Sequence, residues 1–287
     1  MNILLSAAII PVVLLLMFIY KKDTKREPMN VVMKIFFLGV GSCVPTIICE
    51  LMLDPVFSTD NYSGYIELFI NIFVGVALIE EFFKWLIIKS RIYNHESHDE
   101  TYDSIVYAVF ASLGFATLEN ILYVFGGGLV TALLRAITSI PGHACFAVVM
   151  GYFFSKAKIA SETSKHKENQ YLILGLLLPT LIHTIYDFLI FTQETNFIIM
   201  WVVYIIALFI FCFILVSKAA KKNLAFRKEI LVEPPTFVAG NPTINVNQNT
   251  QPTFVTQTNS NIKFCTKCGK RIDNAIFCPF CGEKSNN

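Results

Sequence analysis

Seven stretches of this chain are apolar over the length needed to cross a bilayer, at roughly residues 3–20, 31–53, 65–89, 103–125, 129–156, 170–192 and 197–217. A hydrocarbon core about 30 Å thick takes about 20 residues of helix. In lipid a backbone must satisfy its own hydrogen bonds, which a helix does within one segment. The expected fold is therefore all-α: a polytopic transmembrane helix bundle of about seven spans. Composition agrees, because 54% of the 287 residues are hydrophobic and only 15% are charged, against about 25% charged in an ordinary soluble domain.

The connections between these stretches differ sharply in charge. After the first come Lys21, Lys22, Lys25 and Arg26; after the third Lys89 and Arg91; after the fifth Lys156, Lys158, Lys165 and Lys167; after the seventh Lys218, Lys221, Lys222, Arg227 and Lys228. The connections after the second, fourth and sixth hold no Lys or Arg. Basic residues are retained on the cytoplasmic side, so the N-terminus is expected outside and the C-terminal tail in the cytoplasm. The first stretch has no basic residue before its apolar core and a basic cluster after it, the pattern of an uncleaved anchor inserted N-terminus outward. The formal net charge of +2 is spent on topology and gives no case for a nucleic-acid partner; the lipid bilayer is the partner that composition implies.

The membrane domain is expected to cover residues 1–228. Residues 229–262 are rich in Pro, Asn, Thr and Gln with almost no charge and no helical or strand period, which predicts a flexible linker. Residues 263–284 contain two CxxC pairs, Cys265 with Cys268 and Cys278 with Cys281. Two such turns present four thiolates to one tetrahedral Zn²⁺ and leave no open coordination position, so the expected metal is a structural zinc in a small zinc ribbon. A pair of disulfides is the competing reading, and the reducing side of the membrane disfavours it. A ribbon on a tether also suggests a protein partner for that ribbon. Cys43, Cys49, Cys145 and Cys212 stand singly inside spans and read as small buried apolar residues.

Against this background the ionisable residues inside spans demand explanation, since a charge at mid-bilayer costs on the order of 3 kcal/mol or more and usually faces the bundle interior. The third stretch carries Glu80, Glu81 and Lys84; the fourth Glu119 beside Asn120; the fifth Arg135 and His143; the sixth His183 and Asp187. Glu80 and Glu81 are four and three residues before Lys84, so either carboxylate reaches the ammonium along one helix face. Asp187 is one turn after His183, where a carboxylate fixes the tautomer and orientation of a metal-bound imidazole. Small residues at helical spacing around His143 (Ser139, Ala147, Gly151) and around Glu119 (Ala108, Ser112) permit close helix approach. Arg135 reads as a charge partner, Glu50 and Glu67 as solvated span ends, and His95, His98 and His166 carry no partner pattern.

Imidazoles with a carboxylate suit Zn²⁺ with an open fourth position, and a further carboxylate suits a general base toward bound water. The candidate metal ligands are His143, His183 and Glu119; Glu80 or Glu81 would activate water, with Lys84 tuning the pair and Asp187 and Asn120 supporting the ligands. A rise of 1.5 Å per residue puts Glu80 and His143 roughly 21 to 22 Å from the outer ends of their stretches, His183 about 14 Å and Glu119 about 9 Å. That depth sets Glu119 apart from the others.

The sequences "EEFFK" at 80–84, "FATLEN" at 115–120, "HACFAVVMG" at 143–151 and "HTIYD" at 183–187 occur in the order of the four motifs of the PrsW family of intramembrane proteases, within the wider type II CAAX protease superfamily. The resemblance covers roughly residues 30–217. It maps the family's glutamate pair to Glu80 and Glu81, its FxxxE to Phe115 and Glu119, its HxxxxxxxG to His143 and Gly151, and its HxxxD to His183 and Asp187. It implies hydrolysis of a peptide bond in a membrane-anchored protein substrate, such as an anti-sigma factor, by a metal- or glutamate-activated water. A proton-coupled or ion transporter also places Glu, His and Asp at mid-membrane, but no internal repeat is visible here. An inactive scaffold presenting the ribbon is a further alternative, against which the complete motifs argue. Topology alone would also fit a seven-helix receptor, but topology is not function.

Overall fold

The computed structural model describes residues 2–224 and 226; the linker and the cysteine pairs expected of a zinc ribbon lie outside the described residues. The described residues are helical with no strand. In chain order the helices are α1 (Asn2–Lys22), α2 (Met29–Leu53), α3 (Tyr65–Ile72), α4 (Leu78–Ile87), α5 (Asp103–Ile137), α6 (Ser139–Ser161), α7 (Lys165–Phe191) and α8 (Thr195–Lys221). Two wider π-helical turns, Phe73–Ala77 and Ile88–Ile92, flank α4, so the third apolar stretch is one continuous helical rod with its winding changed on both sides of the glutamate pair. Such π turns are frequent at functional sites. Five helical runs are long and apolar enough to cross a membrane: Ile3–Lys22, Met29–Leu53, Asp103–Ser161, Lys165–Phe191 and Thr195–Lys221. The chain is a multi-pass membrane protein.

One boundary differs from expectation. The "GGG" at 126–128 predicts a connection, with the next span starting at 129. Instead α5 continues to Ile137 through a single break at Gly128, whose φ of 73° and ψ of −160° lie in territory open to glycine. The direction changes again at Thr138 (φ −122°, ψ −71°), and α6 begins only at Ser139. Glycine is tolerated within membrane helices, so three glycines do not stop the helix. Residues 129–137 are a short helical piece of their own, apolar and largely exposed at Val130, Leu133 and Ile137.

The bundle is built around α5. Every residue from Asp103 to Thr117 is buried, because α1, α2 and α6 all pack on it. Such enclosure requires near-contact of backbones, and glycines supply it on two sides. A Cβ added to Gly39 of α2 would lie 2.0 Å from the carbonyl oxygen of Ala111, and one added to Gly114 of α5 would lie 2.1 Å from that of Phe36. On the other flank, a Cβ at Gly151 of α6 would meet the Ser104 carbonyl oxygen and the Ile105 Cα at 2.6 Å. Large apolar side chains such as Phe37, Leu51, Ile66 and Val203 are exposed, as lipid contact requires, while Glu81, Lys84 and Asn120 have no exposed surface.

Gly114→Val is therefore expected to destabilise by at least the ~1–3 kcal/mol typical of overpacking, because the obstacle is a backbone carbonyl that no rotamer moves. Gly41→Val, whose Cβ would meet nothing within 4 Å, is the matched control. Thermal unfolding of the two purified variants compares them directly, and equal midpoints would show that the α2–α5 contact is looser than this.

Of the charged residues read as solvated span ends, Glu67 is exposed, whereas Glu50 is half-buried. His98, left without a role by its sequence context, is buried between α5 and the preceding connection, with Nε2 at 2.6 Å from the Ser104 hydroxyl and Nδ1 at 3.2 Å from the Tyr93 carbonyl. Burial pushes its pKa down to about 4.

Candidate intramembrane active site

The apolar face of α4 is interrupted by three charged groups that bind one another. Lys84 Nζ donates to Glu80 Oε2 at 3.0 Å and to Glu81 Oε1 at 2.9 Å, the pairs expected from their three- and four-residue spacing. Its third bond crosses to α6, where Nζ lies 3.2 Å from His143 Nδ1. An ammonium only donates, so Nδ1 accepts and the ring hydrogen of His143 resides on Nε2, which is 2.8 Å from Glu119 Oε2. The face of Phe115 covers the ammonium, with Nζ 4.2 Å from the ring centroid. That contact gives the aromatic residue one turn before Glu119 a physical role.

Glu119 is also held by Arg135, at 2.8 Å from Oε1. Arg135 reaches it from the short helical piece after Gly128, with its Nε donating to Asn120 Oδ1 at 2.8 Å and its guanidinium 4.1 Å from the Tyr123 ring centroid. Asn120 is fixed from behind by its amide bond to the Ala8 carbonyl of α1, 3.1 Å. Asn120 thus orients Arg135, and through it Glu119.

On α7, His183 stands between two carboxylates: Nδ1 is 3.2 Å from Glu81 Oε1 and Nε2 is 3.3 Å from Asp187 Oδ2. Phe146 of α6 stacks on its ring at 4.6 Å between centroids, and the His143 and His183 rings are 5.5 Å apart. Phe146 escapes sequence reasoning, although its place three residues after His143 puts it on the same helix face. Ser112 of α5 donates to the His143 carbonyl at 2.9 Å, tying α6 to α5 at the site.

Depth does not separate Glu119 from the histidines. The expected span start at 129 places His143 deep in its helix, but α6 starts at Ser139, so His143 lies about 6 Å along it and meets Glu119 directly. The grouping does differ from the ligand set nominated by sequence. Donor atoms of Glu80, Glu81 and His183 all lie within 4.8 Å of one another, whereas His143, His183 and Glu119 form no such group among the described residues.

A cavity of about 600 Å³ opens beside these residues, lined by Glu80, Glu119, Arg135, His143, His183 and Asp187 and reaching Gln193, Ile198 and Trp201. Glu80 lines it and Glu81 does not. The donor set fits a divalent metal on two observations. Glu81 Oε2 is buried and accepts no hydrogen bond. Four carboxylates (Glu80, Glu81, Glu119, Asp187) share two permanently cationic side chains, Lys84 and Arg135, with His143 and His183 as their other partners; with neutral imidazoles the set carries a formal charge of −2. One dication balances it.

A helical membrane bundle with glutamates and histidines from α4 to α7 around a cavity meets the requirements of a membrane-embedded hydrolase. Residues 27–216 match the PrsW family intramembrane metalloprotease profile, and the chain belongs to that family. It is 42% identical to Protease PrsW of Oceanobacillus iheyensis over 187 residues, covering 65% of this chain and 82% of that protein. It is 38% identical to the Geobacillus kaustophilus protein of the same name, over 67% and 81% of the two chains, and 36% identical to that of Bacillus subtilis, over 76% and 94%. No solved structure matches it. The protein is an intramembrane protease.

Proposed function

We propose that this protease cuts a membrane-anchored protein, with a regulator such as an anti-sigma factor as the substrate class, using a Zn²⁺ held by His183 and Glu81 with Glu80 poised beside it. The observation that carries the proposal is the proximity of the Glu80, Glu81 and His183 donors at the edge of a cavity large enough for an extended peptide segment. A bound Zn²⁺ lowers the pKa of its water and polarises a carbonyl oxygen.

The side chains divide the remaining work. Glu80 takes the proton from water, because of the two adjacent glutamates it is the one that lines the cavity. Lys84 holds that carboxylate in place and offsets the charge of Glu81. Asp187 keeps His183 oriented. His143 and Glu119, candidate ligands from the sequence, are engaged with each other; this pairing suits His143 Nε2 as a hydrogen-bond donor to an oxygen of the substrate, with Glu119 and Arg135 fixing its ring. We further propose seven crossings, since Asp103–Ser161 is far longer than one span and breaks at Gly128 and Thr138. The basic connections and the C-terminal tail then lie in the cytoplasm, with Cys265, Cys268, Cys278 and Cys281 holding a structural zinc there.

Comparing membrane proteins from cells that express the chain with those from cells that express Glu81→Ala tests the substrate class. At least one single-span protein is expected to be shortened only with the active chain. Identical membrane proteomes at equal expression would overturn the proposal.

A further inference from the structure

A second group of carboxylates gathers at the end of the bundle that carries the basic connections. Asp23 comes from the α1–α2 connection, Glu100 from the connection before α5, and Asp103 is the first residue of α5. One oxygen of each lies within 4.8 Å of the others. Glu27, also from the α1–α2 connection, and Asp99, beside Glu100, form a second such trio with Asp103. Sixteen residues, about 24 Å along α5, separate Asp103 from Glu119, so this cluster is distinct from the intramembrane site.

These are not ordinary surface acids. Asp23 is 4% exposed and Asp103 not at all. Each keeps one carboxylate oxygen that is shielded from solvent and accepts no hydrogen bond. One cation reaches the cluster, the exposed Lys25, whose ammonium pairs with Asp99 of the second trio; the remaining contacts hold the acids still without adding positive charge. Asp103 Oδ2 accepts the backbone N–H groups of Asp99 and Glu100 at 3.0 and 2.6 Å, Glu27 accepts the Tyr107 hydroxyl, and Glu100 accepts the Asn223 amide. Like charges are thereby aimed at one another in a buried place, which is costly unless a cation stands between them.

We propose that Asp23, Glu27, Glu100 and Asp103 bind a hard divalent cation, Ca²⁺ in preference to Mg²⁺. The donors are all oxygen, with neither His nor Cys, which selects hard ions. Several carboxylates converging at a largely buried place suit Ca²⁺, which accepts many carboxylate ligands at variable geometry, better than Mg²⁺, which retains its waters. The bound ion ties the α1–α2 connection to the start of α5. Through Glu100 and Asn223 it also ties in the end of α8, where the Leu224 carbonyl accepts the Thr101 N–H at 2.9 Å.

Terbium luminescence tests this on the purified full-length protein after chelator treatment. Tb³⁺ replaces Ca²⁺ at oxygen sites, and Tyr107, bonded to Glu27, is positioned to sensitise it. Saturable emission on tyrosine excitation is expected, displaced by Ca²⁺ at concentrations at least tenfold below those of Mg²⁺. The double variant Asp23→Asn/Glu100→Gln is expected to weaken Tb³⁺ binding tenfold or more, while Asp54→Asn, exposed at the end of α2, leaves it unchanged. Absence of sensitised emission would overturn the proposal and point to a proton shared between Glu27 and Asp103. Emission equal in wild type and the double variant, or displaced equally by Ca²⁺ and Mg²⁺, would overturn it as well. Because Asp103 also caps its own loop, the two other positions, not Asp103, carry the test.

Discussion

Glu80→Gln is expected to lower the rate of substrate cleavage by about 10²- to 10⁴-fold, the range for loss of a general base, while the protein accumulates normally and keeps its metal. The amide preserves the volume and the contact with Lys84 but cannot take a proton from water. His183→Ala is expected to abolish cleavage for a different reason. It removes the imidazole that lies between Glu81 and Asp187, and zinc content should fall by one ion per chain relative to wild type, leaving only the zinc expected in the cysteine-rich tail. The two variants thus separate proton transfer from metal binding. Cleavage by Glu80→Gln within a few-fold of wild type would remove Glu80 as the base, and unchanged metal content in His183→Ala would remove His183 as a ligand.

Much of the site was legible because lipid makes charge informative. In a soluble protein Glu80, Glu81 and Lys84 would read as a solvated helix face; within an apolar stretch their three- and four-residue spacing already implies the triad that forms at 2.9 and 3.0 Å. The same holds for His183 with Asp187. Contacts between helices are different, since periodicity speaks only of one helix at a time. The bond from Lys84 to His143, the stacking of Phe146 on His183 and the reach of Arg135 back to Glu119 all depend on how α4, α5, α6 and α7 pack.

The depth estimate for Glu119 failed at one place, the glycine run. Gly126 to Gly128 read as a loop because glycine ends helices in water, yet in a bundle only Gly128 leaves helical geometry. Moving the start of α6 by ten residues, from 129 to Ser139, brings His143 to Glu119. The acids at the end of the bundle that carries the basic connections were invisible for a related reason. Asp23, Glu27, Glu100 and Asp103 lie next to span ends, where carboxylates are ordinarily hydrated, and nothing in the local sequence indicates that Asp23, Glu27 and Asp103 are buried. Their burial raises Asp23 to about 6 and Glu27 to about 7, far from the values of hydrated acids.

Lys84→Met should cost more stability than any other single substitution at the active site. The ammonium has no exposed surface and is the contact shared by Glu80, Glu81 and His143. Methionine fills similar space beneath Phe115 but leaves two carboxylates facing each other, and breaking a buried pair from one side costs about 3–5 kcal/mol. For a domain of this size that corresponds to a fall on the order of 10 °C in the unfolding midpoint. The charge argument makes a second, sharper claim. If the loss comes from uncompensated carboxylates, Lys84→Met/Glu80→Gln must recover part of the midpoint although it removes one more native group, while cleavage stays absent in both. A double variant no more stable than Lys84→Met would instead assign the loss to packing under Phe115, and a single variant as stable as wild type would mean that a metal, not Lys84, balances the glutamate pair.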